Sequence, residues 1–160
     1  MARAFAAVLF AASIAVSGCA VSPPTIAAPT TPSAFTGSWS VEWCDRTRPD
    51  LDCGGFSVSL LQTGDRICGE FGGALVNLRQ VDEGSVVGRV QGDVAQLEVT
   101  SGRNGEVVRV DATRVGADLQ WTQTGALQQG DADISVIATD ELLKPTAGAS
   151  TPAACAAAAP

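Results

Sequence analysis

Residues 85–100 read Ser-Val-Val-Gly-Arg-Val-Gln-Gly-Asp-Val-Ala-Gln-Leu-Glu-Val-Thr. Alternate positions are apolar or small on either side of Gly92-Asp93: Val86, Gly88 and Val90 before it, Ala95, Leu97 and Val99 after it. Strict period-2 alternation broken by a glycine-containing pair describes two half-buried antiparallel strands joined by a tight turn. No convincing amphipathic helix is expected here.

The same pattern extends outward in both directions. Toward the C-terminus, the loop 101–105 leads into residues 106–113, which offer Val108, Val110 and Ala112. A turn at 115–118 then leads into residues 119–123, with Leu119 and Trp121 inward. Residues 133–139 present Ile134, Val136 and Ala138 and read as the last strand. Toward the N-terminus, residues 66–71 place Ile67, Gly69 and Phe71 on one face, and the 63–66 turn joins them to residues 56–62, with Phe56, Val58 and Leu60 inward. Residues 38–44 place Trp39, Val41 and Trp43 together against Ser40 and Glu42. Only residues 72–84 lack a clear period, reading as a loop or one irregular strand around 75–81.

These segments make about eight short strands linked mostly by tight turns, which is the pattern of an all-β meander. An eight-stranded meander can close on itself and so remove its exposed edges. The expected fold is therefore a small up-and-down β-barrel over residues 35–141. A β-sandwich is the alternative, but its long Greek-key crossovers have no counterpart in these short links. Residues 19–34 are rich in proline and threonine and read as a disordered tether. Residues 142–160 end in PTAGASTPAACAAAAP and read as a low-complexity tail.

Gly37-Ser38-Trp39 resembles the Gly-x-Trp start of lipocalin and avidin barrels, and this implies a barrel fold only. The tyrosine-containing signature of lipocalins has no counterpart in a chain without tyrosine. Residues 1–18 have the layout of an export signal: Arg3, an apolar run over 4–16, then small residues. That run is well short of the roughly 20 residues a membrane-spanning helix needs. Val16-Ser17-Gly18-Cys19 resembles the lipobox of bacterial lipoproteins. The resemblance implies thioether attachment of diacylglycerol to Cys19, cleavage before it, and acylation with palmitate-like chains. Ala20 stands where an aspartate would imply inner-membrane retention, so the pattern implies the outer membrane, facing the periplasm. Ordinary secretory cleavage after Ala20 is the alternative.

The chain has 17 acidic and 10 basic residues. Losing Arg3 with the leader would leave 17 against 9, a net charge of −8. This balance argues against nucleic acid as a partner and against unaided binding to anionic lipid. Histidine is absent and Lys144 is the only lysine. That removes Ser-His-Asp and Cys-His chemistry and histidine metal sites, so an enzyme is the weakest reading and no metal or cofactor is expected.

With Cys19 lipidated, four cysteines of the five remain, an even number suited to an oxidising compartment. Cys44 ends one strand and Cys53 precedes the next, so these two meet most easily. Cys68 and Cys155 could pair, or Cys68 could be free. The Cys44–Cys53 bridge would pin a charged loop holding Asp45, Arg46, Arg48, Asp50 and Asp52, a rim suited to partner binding because pre-ordering lowers the entropic cost of association. A solvated turn is the plainer account of these charges. Trp39, Trp43, Phe56, Phe71 and Trp121 would fill the interior as core or line a small apolar ligand cavity. Asp131 and Asp133 form a D-x-D, but without the calcium-loop glycine and glutamate. Three functions follow: an envelope lipoprotein that binds or inhibits another envelope protein, a carrier of a small apolar ligand in its interior, and, last, an enzyme.

Overall fold

The computed structural model describes residues 34–131 and 134–147, with Pro152 and Cys155. Eight strands run antiparallel in sequence order and close into a barrel: β1 Gly37–Trp43, β2 Gly54–Thr63, β3 Arg66–Ala74, β4 Val81–Gln91, β5 Val94–Ser101, β6 Val107–Val115, β7 Asp118–Gln128 and β8 Asp140–Pro145. Closure is made by β8, which pairs with β1 through Trp39↔Pro145 and Ser40↔Lys144 and with β7 from Leu119↔Leu143 to Thr122↔Asp140. The alternating pattern of residues 85–100 becomes the β4–β5 hairpin, in register from Gly84↔Ser101 to Gln91↔Val94.

Two-residue turns define one end of the barrel. Gly64, Gly92 and Gly116 take φ of +63°, +63° and +65°, each at the first central position of its hairpin. Glycine is favoured there because L side chains strain at positive φ, and turns of this hand match strand twist. The other end carries the long connections 44–53, 75–80, 102–106 and 129–139.

The interior is packed with side chains. Phe56, Trp121, Leu97, Val99, Val108, Val110, Leu119 and Leu143 are each at most 1% exposed. Phe56 lies 5.6 Å from Phe71 and 5.2 Å from Trp121 between ring centroids. Eight strands give an interior only just wide enough for such side chains.

The last strand differs from expectation. Of the expected segment 133–139, the described residues 134–139 do not form it. Val136, Ile137 and Ala138 are consecutive and all buried, while Ile134 is 66% exposed, which is not a period-2 pattern. This segment instead crosses the wide end. Trp121 Nε1 donates to Ala138 O at 3.0 Å, and Gln123 N to Thr139 O at 2.6 Å. A Cβ on Gly73, across the mouth, would come within 2.8 Å of Val136 Cγ1, so glycine is what lets the segment settle there. The closing strand is β8, which carries the barrel to Pro145 rather than 141. The poorly legible residues 72–84 resolve into the end of β3, a 3-10 turn at Val76–Leu78 and the start of β4.

Candidate functional site

The wide end gathers the charged loop expected from the sequence. Cys44 and Cys53 are disulfide-bonded at 2.05 Å and close the 44–53 connection. Within it, Asp45 Oδ1 accepts from Thr47 Oγ1 at 2.6 Å and from Thr47 N at 3.0 Å, and Arg48 Nε lies 3.7 Å from Asp45 Oδ2. These contacts hold the Asp45 carboxyl below its ordinary 3.8; the Thr47 hydroxyl is the largest cause, then the Thr47 amide, with Arg48 a lesser one. Arg46, Asp50 and Asp52 are exposed around the same loop.

A second loop is fastened to the first. Asn77 N donates to Asp52 O at 2.8 Å, joining the 3-10 turn to the disulfide loop. Asn77 and Leu78 take φ of +62° and +48°. Positive φ is uncommon for a bulky residue, and Leu78 is nevertheless held there with its side chain 57% exposed. Val81 and Ile134 are also exposed at this end. Trp43, half-buried below the rim, donates from Nε1 to Glu141 Oε1 at 3.0 Å and ties β1 to β8.

Asp82 is buried on β4 and accepts from Ser101 Oγ at 2.6 Å and Arg103 N at 3.1 Å. It anchors the 102–106 connection, an inward polar role that alternation alone does not reveal. Asp131 is exposed; Asp133, Cys19, the leader and residues 19–33 of the tether lie outside the described residues. Among the described residues, no group of three or more acidic or cysteine side chains could hold a metal ion.

Of the five aromatic residues expected inside, Trp39, Phe56, Phe71 and Trp121 are buried and Trp43 packs partly against the core. Trp39 closes the tight-turn end, with Nε1 donating to Ala117 O at 3.0 Å and Arg114 stacked 4.9 Å over its ring. Phe35 is buried beside it, its amide donating to the Gln62 side chain at 3.1 Å. Cys68 and Cys155 form the second disulfide and staple the tail to the outer face of β3. No protein-family model, curated protein or solved structure matches the chain.

Proposed function

We propose that this is a lipid-anchored envelope protein, attached through Cys19, that uses the wide end of its barrel to bind or inhibit another envelope protein. The observation that carries this reading is the fastening of two rim loops into one platform, by the Cys44–Cys53 bridge and by Asn77 N on Asp52 O. A rim ordered before binding loses little conformational freedom on association. Exposed Leu78 and Val81, at the same end of the barrel as Asp45, Arg46 and Arg48, supply the mix of apolar and charged groups that protein interfaces use. The direction of the chain supports the same reading. β1 begins at the tight-turn end, where Gly37 pairs with Leu60, so a tether preceding it would join the barrel at the end opposite the rim. Membrane contact would come through the N-terminal lipid at the outer membrane, facing the periplasm.

The test is capture from envelope extract with the native protein and with a variant carrying Asp45→Asn, Arg46→Gln, Arg48→Gln, Asp50→Asn and Asp52→Asn. Recovery of a specific partner should fall by about tenfold or more in the variant, as when an interface anchor is lost. Equal recovery would remove the rim as the binding face. In the same preparations Cys19→Ser should lose acyl labelling and leave the membrane fraction; unchanged labelling would defeat the anchor.

A further inference from the structure

The outer wall carries a feature that neither the rim nor the core uses. On β2 to β6, outward positions toward the tight-turn end form a groove of about 820 Å³ beside the Cys68–Cys155 disulfide. Its floor is apolar: Leu61, the disulfide, and Val87, which is 49% exposed. Its edge is cationic. The ladder sets Arg66 directly opposite Arg89, and Arg109 stands on the far side, opposite Glu98. Among the described residues, three arginines and one glutamate line it, a local charge of +2 on a chain whose net charge is −7.

Two like charges placed opposite each other destabilise a ladder. Arg89 is relieved by Asp65 at 3.2 Å, outside the groove lining, whereas Arg66 has no acidic partner among the described residues. An anion between the two guanidinium groups removes the repulsion, and guanidinium matches carboxylate and phosphate oxygens in pairs. The apolar floor requires more than a simple ion, because Leu61 and Val87 gain only if an apolar arm covers them. The volume lies within the roughly 300–1,000 Å³ typical of small-molecule sites.

We infer that this groove binds a single-chain anionic amphiphile, a long-chain carboxylate or alkyl phosphate, with its head on Arg66 and Arg89 and its chain along Leu61, Val87 and the disulfide. The occupant is a monomer rather than a bilayer surface, since a planar surface can meet the arginines but cannot fill a recess in the wall. The site is separate from the rim and stands whether or not the rim binds a protein.

Titration calorimetry on the full-length protein, with palmitate and dodecyl phosphate as probes below their self-association concentrations, tests it. One molecule of either should bind per chain. Arg66→Glu with Arg89→Glu should weaken binding by about tenfold or more, and Arg46→Glu with Arg48→Glu, the same charge change at the other end, should alter it by less than about twofold. Val87→Asp should also weaken it by about tenfold, which keeps the test sound if the arginine variant fails to fold. No saturable binding by the native protein would overturn the inference. So would equal loss in the two arginine variants, equal affinity for dodecyltrimethylammonium, or binding to anionic vesicles alone.

Discussion

The two ends of this barrel are closed by different means. At the tight-turn end, Gly64, Gly92 and Gly116 each reverse the chain in two residues, and Phe35 and Trp39 seal the mouth from the first strand and the residues just before it. The chain reversals here are local, whereas the seal reaches across the mouth: Trp39 Nε1 donates to Ala117 O on the β6–β7 turn. At the wide end the connections are long and are held by contacts outside their own turns: Asp82 on Ser101 and Arg103, Asn77 on Asp52, and Val136 seated against Gly73. Local closure leaves little room for change without losing the hairpin. Long-range closure by connections leaves exposed positions that can vary while the barrel persists, which is where binding residues accumulate on rigid scaffolds.

Trp121→Ala should have the largest effect on that difference. The ring is fully buried against Phe56, and its Nε1 holds Ala138 O, so it serves both the core and the segment across the mouth. Loss of so large a buried aromatic costs about 3–5 kcal/mol, read as a shift in the denaturant midpoint. Hydrogen exchange should show residues 136–139 losing protection before the amides of the three tight hairpins. Uniform loss at both ends would mean that the ends are one cooperative unit and that the distinction has no energetic content.

Opening the rim bridge should have a smaller and more local effect. The chain-entropy account gives about 2–3 kcal/mol for closing a loop between cysteines separated by 9 residues. Cys44→Ser with Cys53→Ser should lower stability by that amount, speed exchange at the Asn77 amide, and leave the Gly64 and Gly92 hairpins unchanged. An unchanged Asn77 amide would show that the two rim loops are independent.

The same difference decides what the sequence makes legible. Strands such as β4 and β5 stand out because one face meets the core and the other meets water, so the period is written in Val86, Leu97 and Val99. The tight turns are legible because positive φ singles out glycine. Cys44 and Cys53 are legible as a pair because hairpin geometry brings strand ends together. β8 was hidden by its Leu142-Leu143 pair, one 39% exposed and the other fully buried, which shows no alternation out of context. Residues 134–138 carried a false alternation, since a segment crossing a mouth is buried by what lies beneath it rather than by pleat. The rim charges were legible as a group. Their coupling to the second loop was not, because it runs through the backbone of Asn77 and Asp52 and leaves no mark on side-chain type. Gln62 and Asp82 escaped for a related reason: each is a buried polar group satisfied by partners, Phe35 N and Ser101 Oγ, that its own strand does not contain.

The finest test concerns order within the rim itself. Asp45 is held below its ordinary 3.8 chiefly by the Thr47 hydroxyl, next by the Thr47 amide, and less by Arg48. A lowered folded value means that the carboxylate favours the ordered loop at pH above 3.8 and loses that preference as pH falls through the lowered value. Carboxyl-carbon NMR titration should therefore place the Asp45 midpoint below 3.8. Thr47→Val keeps the amide donor and removes only the hydroxyl, so it should return the midpoint part of the way. Arg48→Gln should move it less, and high salt should mimic Arg48→Gln because an exposed ion pair is screened while a hydrogen bond is not. If Arg48→Gln moved the midpoint further than Thr47→Val, the loop would be ordered by charge rather than by the Asp45–Thr47 turn. The rim would then loosen with ionic strength while the glycine turns at the opposite end did not.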